Sequence, residues 1–349
     1  MGGHILKALF LAVSARQVLA SCAYGTHLQP RAETGEVKVN TFGYTGQIGP
    51  LNWHGLDAAN GACLTGRQQS PIDMVAGTFN MVPASELAID IPDFTAGTEF
   101  ENLGTTLEVI AKGGTLGFGG KTFTLQQFHF HLPSEHLDNG TSQAMEMHMV
   151  WQSEQQEIAV IGVYIQIATE GAAPAVAAPI VVERRGRFSR RDVELERRQN
   201  GTVATAAVAP STLLETIFSV TDAVVTPGTK VETAPLIMSE VVNLLKANSF
   251  QGYMGSLTTP PCSEGVNWLV STARLGVSAT SFLKVRDIIG FNSRFPQNKP
   301  GQPNVLQFAS TGLSVQNSAL SGVSFIPGGA APAGETGATA VQEEVGVTV

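Results

Sequence analysis

From about residue 40 to 170, apolar and polar positions alternate in short runs separated by turn residues, a pattern that predicts strands. The clearest run is TLQQFHFH, residues 124–131. With a two-residue period, Phe128 and Phe130 point to one face and Gln127, His129 and His131 to the other. A second run covers 144–151 (AMEMHMVW). It puts Met145, Met147, Met149 and Trp151 on an apolar face and Glu146, His148 and Val150 opposite. Asp138-Asn139-Gly140 between them is a strong turn signal. Antiparallel pairing of the two runs would set His148 beside His129 and His131. Strand-like and helical pieces return from about 212 to 326.

The remaining segments have other patterns. Lys7, the apolar run Ala8–Ala15 and Val18-Leu19-Ala20 read as a secretory leader over residues 1–20, although Arg16 interrupts the apolar stretch. Leu19-Ala20-Ser21-Cys22 also spells a lipid-attachment site, but Arg16 breaks the apolar run that site needs. Residues 171–211 open and close on Ala-rich runs and contain ERRGRFSRRDVELERR at 183–198. This Arg-rich stretch reads as a solvated insertion loop whose dibasic pairs offer sites to a processing protease. From Pro327 to Val349 the chain is rich in Gly and Ala and has no period, so a disordered tail is expected.

The chain has 349 residues, 14% of them charged, with 37 Gly and 18 Pro, which favours strands and turns over a helical bundle. Its net charge is −8, and outside 183–198 it carries 14 basic against 25 acidic residues. Such a balance argues against nucleic acid or an anionic membrane as the main partner. Three cysteines exclude a disulfide scaffold and allow at most one internal pair. No apolar run reaches the ~18 residues of a membrane-spanning helix. Asn139-Gly140-Thr141 and Asn200-Gly201-Thr202 are candidate glycosylation sites in a secreted chain.

Four of the seven histidines fall between 129 and 148. Three imidazoles converging from neighbouring strands give three neutral nitrogen donors, the set of a catalytic zinc site with its fourth position left to water. Gln127 and Glu146 each lie two residues before a histidine on the same strand face, where they could accept a ring N–H and fix its tautomer. His136 lies in the connecting loop, out of register, and reads as structural. His129-x-His131-x-x-x-Glu135 also fits the first metal motif of cupins. Cupins, however, place a glycine where Phe123 stands here, and their last histidine in a Pro/Gly-rich motif unlike MEMHMVW.

Taken together, QFHFH (127–131), PSEH (133–136), MEMHMVW (145–151) and SLTTPPC (256–262) resemble the α-class carbonic anhydrases in order and spacing. GRQQSPIDM (66–74), FGYTG (42–46) and VNW (266–268) add to the match. The resemblance runs from about 40 to 326, with 171–211 as an insertion. It implies one domain of mixed α and β structure, with short peripheral helices around a twisted, mostly antiparallel sheet of about ten strands. It also implies reversible hydration of carbon dioxide to bicarbonate and a proton by zinc-bound hydroxide.

By that resemblance, His129, His131 and His148 are zinc ligands, with Gln127 and Glu146 behind them. Thr258 accepts a hydrogen bond from the hydroxide and donates its own to Glu135. Val150, Val160, Leu257 and Trp268 form the apolar wall for carbon dioxide. Thr259 borders that pocket and, with Tyr44, the solvent network. Cys63 and Cys262 match the disulfide pair of secreted members. Fast members carry a proton-shuttling histidine where Thr105 stands here, so slowed proton transfer is expected. Leu132 replaces a tryptophan frequent after the second ligand, which implies a packing change. The competing expectation is a non-catalytic secreted relative with a binding or storage role. Such relatives usually lose a ligand, whereas all three stand here together with Thr258 and Glu135.

Overall fold

The computed structural model describes residues 36–169 and 208–311. The leader, Cys22, the 183–198 stretch, Asn200 and the tail from 327 lie outside the described residues. Thirteen strands are present among the described residues. They are β1 (Asp73–Met74), β2 (Asn80–Pro83), β3 (Ala88–Asp90), β4 (Glu99–Asn102), β5 (Leu107–Ile110), β6 (Thr115–Phe118) and β7 (Lys121–His131). There follow β8 (Leu137–Asp138), β9 (Met145–Ser153), β10 (Ile158–Ile167), β11 (Lys230–Glu232), β12 (Ser249–Ser256) and β13 (Glu264–Val277). Eleven of them form one sheet in the order β11-β4-β5-β7-β9-β10-β13-β12-β2, with β6 joining β3 to β7. The one parallel pair in that sheet is β10 with β13. β1 and β8 form a separate parallel pair.

Both faces of the sheet are buried, and the alternation along each strand sorts residues between them. On β10, Ala159, Ile161, Val163 and Ile165 join the larger core, whereas Ile158, Val160 and Tyr164 join a second apolar cluster on the other face. Three short helices cover the larger core. Thr212–Phe218 contributes Leu213, Leu214, Ile217 and Phe218, with Ser211 Oγ capping its start by accepting from the Leu214 N–H at 3.2 Å. Ser239–Lys246 buries Val241, Val242 and Leu245. Ala279–Ile289 buries Val285 and starts at Ser278, whose side chain accepts from the Ser281 N–H. None of the described helices is long and apolar enough to cross a membrane.

The chain on either side of the 170–207 segment docks on the end of β13. The Ala168 N–H donates to Val277 O at 2.8 Å and the Ser211 N–H to Gly276 O at 2.9 Å. The Thr169 N–H donates to Val208 O at 3.3 Å, so the two flanks also bond to each other.

Candidate metal centre

β7 changes face midway, and this places the histidines. Leu125 pairs with Trp151, but Gln127 pairs with Val150, so Gln126 is an extra residue in a β-bulge. Before the bulge the odd-numbered Phe123 and Leu125 point into the larger core; after it the even-numbered Phe128 and Phe130 do. Gln127, His129 and His131 therefore turn to the opposite face. β9 keeps a single phase, with Met145, Met147, Met149 and Trp151 in the larger core. The register then sets His129 across from His148, and His131 across from Glu146. One ring nitrogen from each of His129, His131 and His148 lies within 4.8 Å of the other two, close enough to share a metal ion.

Two of the rings hydrogen-bond through their outward nitrogen, and that of the third lies beside a carboxylate. His129 Nδ1 is 2.9 Å from Gln127 Oε1, His131 Nδ1 is 2.9 Å from the Asn292 carbonyl, and His148 Nε2 is 3.0 Å from Glu146 Oε1. These partners fix the tautomers and leave Nε2, Nε2 and Nδ1 facing inward. His131 Nε2 and His148 Nε2 are both buried without a hydrogen-bond partner, the first facing the other rings and the second 3.0 Å from Glu146 Oε1. Burial, and the neighbouring rings after it, hold His129 well below the ordinary histidine range and His131 at about 3. His129 and His131 are thus neutral at physiological pH, which metal ligation requires. Burial opposes the charge on Glu146, but the adjacent His136 and His148 together outweigh it and hold that carboxyl low. Gly162 faces His148 across β9 and β10, and a Cβ there would sit 2.9 Å from Glu146 Oε1.

Glu135 lies beneath the rings, with Oε2 3.5 Å from His131 Nε2 and 3.9 Å from His148 Nδ1. Its Oε1 accepts the Arg294 N–H at 2.8 Å, and the Thr258 side chain hydrogen-bonds to the carboxylate. Burial raises Glu135 to about 7 despite these contacts. Thr258 and Thr259 are buried in a turn that the Leu257 N–H closes on Ser263 O at 2.9 Å and the Cys262 N–H on Thr259 O at 2.8 Å. The Cys63–Cys262 disulfide joins this turn to the N-terminal helices, and Gln69 Nε2 donates to Cys262 O at 3.0 Å.

Val150, Val160, Leu257 and Trp268 fall in one apolar cluster with Ile72, Met74 and Val270, on the same side of the sheet as the histidines. The Trp268 ring lies 4.8 Å from His148, and its Nε1–H donates to Ser256 O at 2.9 Å. Tyr44 packs against Phe42 and Trp53, with burial first and Glu135 second in raising its pKa. Thr105 is buried, its hydroxyl accepting from Asn40 Nδ2 and its carbonyl from Asn292 Nδ2 at 3.0 Å. Leu132 is buried in the larger core. Asn139 is exposed at its turn with φ 50°, and its Oδ1 accepts the Ala76 N–H.

Several members of the site have no signature in the local sequence. Asn292 supplies the carbonyl for His131, while its side chain accepts the Leu132 N–H at 2.6 Å and donates to Phe130 O at 2.9 Å. Arg294 is buried, donating to Ser70 O at 2.7 Å and Gln69 Oε1 at 2.9 Å. Burial lowers its pKa to about 10. His136 is buried beside the centre: Nδ1 is 2.7 Å from Glu146 Oε1 and Nε2 is 2.7 Å from Tyr253 Oη, and with Glu146 and His148 it forms a second group of potential ligands.

Comparison with known proteins follows the same lines. Residues 48–183 and 199–302 match the model of the eukaryotic-type carbonic anhydrase family. Carbonic anhydrase of Pectobacterium carotovorum is 30% identical over 264 residues, covering 75% of this chain and 87% of that protein. Carbonic anhydrase of a Nostoc strain is 28% identical over 269 residues, covering 76% and 84%. Among solved structures, the fungal α-carbonic anhydrase of Aspergillus oryzae superposes with a TM-score of 0.66 at 35% identity, covering 78% of this chain and all of that one. The α-carbonic anhydrase of Thermovibrio ammonificans, in complex with sulfanilamide, gives 0.58 at 29% identity, covering 75% and 97%. With the sheet, the histidine triad and these matches in agreement, the chain belongs to the α-class, eukaryotic-type carbonic anhydrases.

Proposed function

We propose that the protein catalyses the reversible hydration of carbon dioxide to bicarbonate and a proton, with zinc held by His129 Nε2, His131 Nε2 and His148 Nδ1. The observation that carries this reading is the set of three buried imidazoles, each with a ring nitrogen within 4.8 Å of those of the other two. Three neutral nitrogens suit zinc with one open coordination position. A zinc ion there supplies a water whose pKa falls to about 7.

The surrounding residues then have defined tasks. Gln127, Glu146 and the Asn292 carbonyl hold the ring orientations. Thr258 donates to Glu135, so its oxygen lone pair is left to accept a hydrogen bond from the attacking oxygen and aim it. Val150, Val160, Leu257 and Trp268 offer carbon dioxide, which has no strong donor or acceptor, an apolar wall bordered by Thr259. Tyr44 belongs to the solvent-facing polar network. Thr105 does not titrate near neutrality, and it is held between Asn40 and Asn292, so it cannot carry the released proton outward. Proton transfer to buffer is then the slow step.

The buried disulfide supports a secreted protein, because such bonds persist in oxidising compartments. On this reading the leader is 1–20 and the catalytic domain 40–326, interrupted by 171–211 and followed by the tail 327–349. Asn139 and Asn200 carry glycans, and a protease nicks the dibasic pairs of 183–198. Intact-mass and N-terminal analysis of the secreted protein test these points, and a single unbroken, unmodified chain from Met1 would refute them. The main reading is tested by zinc analysis together with a carbon dioxide hydration assay on the parent and on His148→Ala. The variant should lose metal and activity together; normal hydration without zinc would overturn the mechanism. A zinc-loaded parent without hydration activity would favour a non-catalytic binding or storage protein.

A further inference from the structure

One buried hydrogen-bond chain is left over from the mechanism above. It begins at Ser70, which is fully buried beside β12. Ser70 N–H donates to Ser256 Oγ at 2.9 Å, and Ser70 Oγ accepts the Ser256 N–H at 3.0 Å. The approach is so close that a Cβ on Gly255 would lie 2.2 Å from Ser70 Oγ. From Ser70 Oγ the chain runs 2.8 Å to Tyr253 Oη, then 2.7 Å to His136 Nε2. It continues 2.7 Å from His136 Nδ1 to Glu146 Oε1, which is 3.0 Å from Nε2 of the ligand His148. Glu146 Oε2 also accepts the His136 backbone N–H at 2.8 Å.

Elementary donor counting gives this chain a direction. The Glu146 carboxylate has no proton to give, so His136 Nδ1 must carry one. With a single proton on the ring, at Nδ1, Nε2 is an acceptor and the Tyr253 hydroxyl donates to it. Tyr253 Oη can in turn only accept from Ser70, whose hydroxyl is free to donate because its lone pair already takes the Ser256 N–H. Three donors thus point one way, toward the carboxylate that sets the tautomer and tilt of His148. The other end of Ser70 also reaches the site: its carbonyl accepts Arg294 Nη1 at 2.7 Å, and the Arg294 N–H holds Glu135.

We propose that Ser70 is a positioning residue of the metal centre, orienting His148 through Tyr253, His136 and Glu146. The inference rests on the zinc-site reading. The test uses zinc-loaded enzyme with Ser70→Ala, the near-isosteric Tyr253→Phe, and the double variant. Zinc release into excess chelator is followed with a colorimetric indicator, and thermal unfolding is recorded alongside. Outer partners of metal ligands typically change affinity by 10–100-fold, and groups three and four links removed from His148 belong at the low end, so each single variant should release zinc about tenfold faster. Because both changes interrupt the same chain, the double variant should release it no faster than the faster single one. A merely structural role would lower the unfolding temperature without this non-additive effect on release. A parent that takes up no zinc would overturn the zinc-site reading, and this inference with it. A zinc-loaded parent with Tyr253→Phe releasing at the parental rate, or a double variant whose acceleration is the product of the single ones, would overturn this inference alone.

Discussion

Replacing both Cys63 and Cys262 by alanine isolates what the disulfide contributes, and it avoids a free thiol that could pair with Cys22. The two cysteines are 199 residues apart in sequence, so the bond closes most of the catalytic domain into one loop. The loop-closure relation for that length gives about 5 kcal/mol of stabilisation, acting through the unfolded chain. Loss of two buried sulfurs adds a small packing cost. For a domain of this size about 5 kcal/mol corresponds to a fall in melting temperature of roughly 10–20 °C. The active-site turn keeps its own bonds, Leu257 to Ser263, Cys262 to Thr259 and Gln69 to Cys262, because all three use backbone groups at the turn. Hydration activity measured at 25 °C should therefore stay within about threefold of the parent, below the cost of truly displacing a reacting group. Calorimetry and stopped-flow assays on the same preparation check both halves. A melting temperature unchanged by the substitutions would refute the entropic argument, and collapse of activity in a still-folded variant would show that the bond shapes the site directly.

Other expectations follow from the site. Thr258→Ala should lower kcat/KM by about 100-fold while leaving zinc content unchanged, since it removes the group that aims the attacking oxygen; a drop of less than about threefold would count against that role. Added imidazole should raise turnover in stopped-flow assays, because Thr105 cannot relay the proton; high turnover indifferent to buffer would require another relay. In metal-free protein, His129 and His131 take up protons on unfolding below the ordinary histidine range, whereas Glu135, raised to about 7, gives one up above about 4.5. The net uptake is one proton near pH 5–6, so stability to urea should fall by about 1.4 kcal/mol for each unit of acidification there, and a flat or inverted profile would contradict it.

The parts of the site that sit on one strand pair were legible in the sequence, because alternation is a local signal. His129, His131 and His148 follow from the two-residue period and a turn, as do Gln127 and Glu146 behind them. The bulge at Gln126 was not legible, since Leu125-Gln126-Gln127 contains no glycine or other break. The phase after it is nevertheless the one read from Phe128 and Phe130, so the histidine face came out correctly. Asn292 serves His131 with a backbone carbonyl, which any residue type possesses, from 161 positions away. Arg294 and Ser70 likewise work through long-range contacts that leave no periodicity. The insertion read from composition as 171–211 runs past its far edge into folded chain, since Ser211 caps the helix that follows.

The hydrogen bond between Thr169 and Val208 makes the segment between them a natural port for protein engineering. Two residues already in backbone contact can be rejoined by a short glycine-containing turn, or can receive the ends of a foreign domain, without moving β10 or β13. A reporter or affinity module spliced there would share the chain with the catalyst while drawing no strain from its sheet.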